Sequence, residues 1–142
     1  MIAEKQATQI AMLLNIRNEL TKEYTAADIL KSNNKQFFLI ESDSVGNVIG
    51  VIEIFKVQWY QCEIRHLSVN EKFEGKGVGK KLAQAAISKA KEWNAGIAQC
   101  TIREDNLRSQ SLFIKNGFIK VNTFINVETG NNVFVYQLDL TK

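Results

Sequence analysis

Residues 63–82 read Glu-Ile-Arg-His-Leu-Ser-Val-Asn-Glu-Lys-Phe-Glu-Gly-Lys-Gly-Val-Gly-Lys-Lys-Leu. The stretch changes character halfway. Up to Val69 it belongs to a β-rich run, Gln61–Val69; from Val78 onward Val78, Leu82, Ala86, Ala90 and Trp93 fall on one helical stripe. Between the two stand glycines at alternate positions, 75, 77 and 79. A glycine costs roughly 1 kcal/mol against alanine wherever it is helical, so three at a helix start need a reason. Close backbone approach supplies one: N–H groups without Cβ atoms, at the positive end of a helix, can surround a phosphate or pyrophosphate. A tight turn into a helix, with no ligand, is the plainer alternative.

Working outward, 3–20 carries Ile10, Leu13, Leu14 and Ile16 at helical spacing, which predicts an amphipathic first helix. Thr25 caps a shorter one over 26–30, with Asp28 in the capping-box position, and Ser32-Asn33-Asn34 ends it. Runs 37–41 and 48–57 form a hairpin around 42–47, and Gln61–Val69 adds a third antiparallel strand. Downstream, 97–102 reads as a strand, 106–116 as a helix ended by Gly117, and 118–125 with 133–140 as a final hairpin. The predicted order is ααβββαβαββ.

With 142 residues, 45% of them hydrophobic, and no proline, linker or repeat, a single domain over 1–142 is expected. A net charge of +3, spread along the chain, gives no nucleic-acid footprint. Without a basic and then apolar leader or a run long enough to span a bilayer, no membrane association is expected, and the expected location is the cytoplasm. Cys62 and Cys100, each in a strand, read as buried free thiols.

Two well-known phosphate loops fail on spacing. GxxxxGK[ST] would need glycine at Glu74 and Ser or Thr at Lys81, and GxGxxG from Gly77 meets Leu82 at its last position. Residues 63–82 instead resemble motif A of the GNAT N-acetyltransferase family, a strand ending Leu-x-Val followed by [QR]-x-x-G-x-[GA], with Gly77 and Gly79 as the matching glycines. Asn106-Leu107-Arg108-Ser109-Gln110-Ser111-Leu112-Phe113-Ile114-Lys115-Asn116-Gly117-Phe118 is similar to the family's motif B, N-x-x-[AS]-x-x-[LF]-Y-x-K-x-G-F.

The resemblance covers about 37–140 and implies an α+β fold: a mixed, mostly antiparallel sheet of about six strands with four helices. The family's first strand would be missing or vestigial, since only Met1-Ile2 precede the first helix. The exposed edge at 37–41 would then suit a partner chain, so a homodimer is a possibility. The implied activity is transfer of an acetyl group from acetyl-CoA to a primary amine (a small amine, a peptide N-terminus or a lysine) by direct attack on the thioester. The rival reading is a non-catalytic acyl-CoA-binding sensor or structural module.

Carried over residue by residue, the resemblance places the pantetheine arm on Leu67, Ser68 and Val69, as an added strand. The pyrophosphate falls on the loop and helix start formed by Glu74, Gly75, Lys76, Gly77, Val78, Gly79 and Lys80. Asn106, Ser109 and Phe113 complete the coenzyme site. Asn106 also suits a helix cap.

Two positions depart from the family pattern. Glu74 replaces Gln or Arg and puts a carboxylate beside the pyrophosphate; pointing into water, it would do little harm. Phe113 replaces a tyrosine that protonates the leaving thiolate, and phenylalanine has no proton to give; Tyr136, Tyr60 and Cys100 are candidate substitutes.

Glu63 matches a glutamate that deprotonates the substrate ammonium, against the plainer reading of a strand residue paired with Arg65. Strict alternation puts Glu63, Arg65, Leu67 and Val69 on one face and His66, the single histidine, on the other, packed in the core. Trp59-Tyr60 either lines the acceptor entrance or packs. One histidine and no Cys-x-x-Cys imply no metal.

Overall fold

Six strands pair into a single sheet in the order β1 (Gln36–Ser42), β2 (Val48–Lys56), β3 (Gln61–Val69), β4 (Ile97–Arg103), β6 (Asn132–Asp139) and β5 (Ile119–Ile125). The computed structural model describes residues 2–18, 20, 22–31 and 36–142. Every strand pair is antiparallel except β3 with β4. The helices are α1 (Glu4–Arg17), α2 (Ala26–Leu30), α3 (Val78–Glu92) and α4 (Leu107–Lys115), with a 3-10 turn at Glu71–Phe73. The predicted order and count hold. Among the described residues no strand precedes α1, and β1 is an open edge, as expected.

Two cores sandwich the sheet. One face carries Ile52, Ile54, Cys62 and Ile64 against Leu82, Ala86 and Ala90 of α3 and Phe113 of α4. Helix α3 lies so close to β2 that a Cβ on Gly50 would sit 2.7 Å from Val78 Cγ1. On the other face, Phe38 and Val51 pack against Ile10, Leu13 and Leu14 of α1 and Ile29 of α2. Both cysteines are buried and free.

Helix α1 is shorter than the predicted 3–20. Asn18 is extended, and its side-chain amide donates to the Leu14 carbonyl at 2.9 Å and to Ser68 Oγ at 2.8 Å, which ends the helix on β3. Ile16, expected on the buried stripe, is 73% exposed; Ala7 and Ala11 take that face. Thr25 and Asp28 form the predicted reciprocal cap, with Asp28 N donating to Thr25 Oγ1 at 3.2 Å and Thr25 N to Asp28 Oδ2 at 2.9 Å. The stop assigned to Ser32-Asn33-Asn34 lies outside the described residues.

One irregularity governs the site. Glu53 faces Arg65 while Val51 faces Ser68, so three steps of β3 span two of β2. The extra residue lies at the His66 bulge, and His66 has φ 55, in the left-handed region that non-glycine residues seldom occupy. The bulge reverses the parity of everything after it. Leu67 and Val69 join the α3-side core, not the face of Glu63 and Arg65, whereas Ser68 is buried toward α1. The strict alternation expected from 63 to 69 therefore breaks down.

Candidate active site

Parallel pairing of β3 with β4 ends early. Gln61, Cys62 and Glu63 pair with Ile97, Ala98 and Gln99, and beyond that the strands part although β3 continues to Val69 and β4 to Arg103. The bulge at His66 bends β3 at this point, which is where a bulge commonly re-aims a strand. The result is a wedge with Glu63 at its apex and a free backbone edge along the end of β3. A cavity of about 830 Å³ fills the wedge.

One rim of the cavity is backbone. Gly75 and Gly77 have φ values of 76 and 82, a conformation in which a side chain is strained, and a Cβ on either would meet nothing within 4 Å. Their open sides leave room for a ligand. The first helical amide to find its acceptor is that of Lys81, bonded to the Gly77 carbonyl at 3.1 Å, so the amides of the preceding turn have no helical partner. A cradle of this kind, at the start of a fifteen-residue helix, suits a pyrophosphate.

Of the residues expected to hold the coenzyme, Leu67, Val69, Glu74, Gly75, Gly77, Val78, Gly79, Lys80, Asn106, Ser109 and Phe113 line this cavity. Ser68 and Lys76 do not. The Ser68 side chain is buried, donating to the His66 carbonyl at 3.0 Å, and Lys76 Nζ lies 5.5 Å from the centre of the Phe73 ring. Asn106 caps α4, accepting from the Ser109 amide at 3.2 Å. Glu74 does not point into water. It pairs with Arg17 at the end of α1 and with Arg108 of α4, the latter at 2.7 Å, and is 24% exposed.

Phe113 is buried edge-to-face on Phe118, with ring centroids 5.1 Å apart. None of the three substitute acids fits its missing role. Tyr136 is buried away from the cavity, its hydroxyl donating to Gln110 Oε1 at 3.2 Å. Tyr60 packs over Gly96 and touches Trp59, which is 79% exposed, and neither ring lines the cavity. Cys100 does line it, but burial and then the Glu63 charge push its thiol up to about 12. A thiol that holds its proton so tightly is a poor donor to a thiolate whose ordinary pKa is about 8.5.

The opposite rim is built from side chains. Glu63 lines the cavity and accepts from Gln99 Nε2 at 3.3 Å, and Gln99 Oε1 in turn accepts from Gln137 Nε2 at 2.7 Å. Burial raises the Glu63 carboxyl above the usual carboxylate range, opposed by the Gln99 hydrogen bond and by Arg65. It is therefore not simply paired with Arg65, whose guanidinium bonds Glu53 Oε1 through Nε at 3.0 Å and Nη2 at 2.9 Å.

Glu53 is fully buried and also accepts from Tyr24 Oη at 2.8 Å and lies 3.2 Å from His66 Nδ1. Burial first, and then the charge of Glu53, raise the Tyr24 phenol above its ordinary value, so it stays protonated. Tyr24 is pinned to α1 by two hydrogen bonds with the Asn15 side chain, at 2.7 and 2.8 Å. His66 is thus not a core residue. It stands partly exposed between the main cavity and a smaller recess lined by Leu20, Glu23, Tyr24 and Asp28. Sequence reading missed Glu53, although a lone carboxylate within the apolar run of β2 is itself a signal of a buried, partnered charge.

Among the described residues no group of His, Cys, Asp and Glu is placed to hold a metal ion, and no helix is long and apolar enough to cross a membrane.

Comparison with solved structures returns the same architecture. Ard1 from Thermoplasma volcanium is 24% identical, with 96% of this chain and 93% of that one covered and a TM-score of 0.81. The spermidine N-acetyltransferase SpeG F149A mutant from Vibrio cholerae is 18% identical, with 99% and 93% covered and a TM-score of 0.81. The protein yncA from Salmonella typhimurium, solved with its cofactor acetyl-CoA, is 16% identical, with 99% and 91% covered and a TM-score of 0.81. At these identities the likeness establishes the fold. A comparison with curated protein sequences finds no match. Residues 6–118, however, match the acetyltransferase (GNAT) family. With that match over most of its length, and with the divided strands and glycine cradle described above, this chain belongs to the GNAT acetyltransferase family.

Proposed function

We propose that this protein transfers the acetyl group of acetyl-CoA to a primary amine by direct attack on the thioester. The observation that carries this reading is the wedge between β3 and β4, bounded by a glycine cradle and with a raised-pKa carboxylate at its apex. The unpaired edge at Leu67–Val69 offers backbone groups to the amides of a pantetheine arm, as a sheet edge does to an added strand. The amides of residues 75–80 would take the pyrophosphate, and Asn106, Ser109 and Phe113 would flank the arm from α4.

On the acceptor side, Glu63 serves as the proton acceptor that turns an ammonium into a nucleophilic amine. Its burial raises its affinity for the proton, and the Gln137–Gln99 pair holds it in place. With phenylalanine at 113, the departing thiolate takes its proton from water; a thiolate is a good leaving group and needs no strong acid.

A second reading of the base has its own observation. A buried carboxylate at Nδ1 holds the His66 ring from one side and leaves Nε2 as the other ring nitrogen, on a residue that borders both the cavity and the recess.

Calorimetric titration with acetyl-CoA, followed by thiol release over small amines, peptide N-termini and lysine peptides, tests the proposal. Saturable binding with turnover on one acceptor class is expected. Binding without turnover on any acceptor would make the chain a non-catalytic acyl-CoA module, and no binding would overturn both readings.

A further inference from the structure

We infer that Glu74 is a built-in counter-ion beside the pyrophosphate's place, and that Arg17 and Arg108 are the cations it yields to the coenzyme. The inference rests on the coenzyme site proposed above.

Glu74 immediately precedes the glycine cradle, at the positive end of α3, where an anion is favoured. Its two carboxylate oxygens are divided between two arginines from different elements: Oε1 pairs with Arg17, the last residue of α1, and Oε2 with Arg108 Nη1 at 2.7 Å, in the first turn of α4. All three side chains line the cavity. A carboxylate and a phosphate oxygen make equivalent demands on a guanidinium, each accepting its paired N–H groups. Arg17, Glu74 and Arg108 are 35%, 24% and 71% exposed, so the pairing is a surface one, weak enough to exchange.

A pyrophosphate brings more negative charge than one carboxylate and also gains the cradle amides, which Glu74 does not use. Exchange is therefore favoured, and Glu74 rotates outward. The acidic residue at 74, a liability if it faced the phosphate, becomes a screen that keeps two arginines apart from one another's charge until coenzyme arrives.

The test is calorimetric titration of the wild-type chain, Glu74→Gln, Arg108→Ala, and an Arg17→Ala/Arg108→Ala pair with and without Glu74→Gln. Coenzyme A, dephospho-coenzyme A and pantetheine serve as ligands. Glu74→Gln should tighten coenzyme A binding about three- to tenfold, because competition is removed while the arginines remain. Arg108→Ala should weaken it by about fivefold, and the gain from Glu74→Gln should vanish when both arginines are absent. Dephospho-coenzyme A should keep the gain and pantetheine should show none.

Equal or weaker binding by both Glu74→Gln and a second variant, Glu74→Ala, with circular dichroism showing both folded, overturns the inference. So does a gain that survives loss of both arginines, or one that disappears with dephospho-coenzyme A. A wild-type chain that binds no coenzyme A at all instead refutes the coenzyme site on which the inference stands.

Discussion

The two rims of the β3/β4 wedge are made of different material. On the rim proposed for the coenzyme the working surface is backbone: the free edge of β3 and the amides around Gly75 and Gly77. On the rim proposed for the acceptor it is side chains drawn from separate elements, with Glu63 held by Gln99 and Glu53 gathering Arg65, His66 and Tyr24 beneath it. A backbone rim tolerates exchange of its side chains so long as φ and ψ are kept. That is why Glu74 can depart from the family pattern without removing the cradle. A side-chain rim has no such tolerance, because each group depends on the charge of the next.

The sharpest break between the rims is expected from Glu63→Gln. Removing the proposed proton acceptor should lower kcat about 100-fold while leaving coenzyme affinity, measured by calorimetry, unchanged. The pH profile carries a further sign. Because burial raises the Glu63 carboxyl, the wild-type rate should climb with pH through a range above that of an ordinary carboxylate, as the accepting form appears. Glu63→Gln should lose that limb. If the limb persists there and disappears in His66→Gln, the base is His66.

Gly77→Val attacks the other rim. A β-branched residue at φ 82 is strained, and its side chain projects into the open space beside the cradle. Coenzyme affinity should fall by about twentyfold, a loss of roughly 1.8 kcal/mol, with kcat at saturation changed much less. An equal affinity would mean that the cradle is only a turn.

The smallest of the three effects is expected from Glu53→Gln, which keeps the shape of a buried acceptor but removes its charge from Arg65, His66 and Tyr24. Thermal or urea unfolding should show a loss of about 1–1.5 kcal/mol, and the acceptor KM should rise while coenzyme affinity holds. A rise in coenzyme Kd as well would show that the two rims are not independent.

How much of this was written in the sequence follows from the same contrast. Period and punctuation gave the element order correctly, since Val78, Leu82, Ala86 and Ala90 repeat at helical spacing and the glycines mark where the chain turns. The glycine loop and Asn106 were readable because backbone geometry is encoded locally, in residues that alone adopt it or cap it. Strict alternation failed at His66, because a bulge is fixed by the register against β2 and not by the strand's own residues. That single step moved Leu67 and Val69 to the α3 side and left His66 facing Glu53 and Tyr24.

By itself, then, the sequence determined the fold class, the order of elements, the glycine loop and Glu63 as a candidate base, all of which depend on local pattern. Only the tertiary structure decided the partners. It set Arg17 and Arg108 on Glu74, gathered Tyr24, Arg65 and His66 around Glu53, and excluded Tyr60 and Tyr136 from the cavity. Arg17 and Glu74 are 57 residues apart in the chain. Pairings over such separations are set by how helices and strands pack, and no local pattern records them.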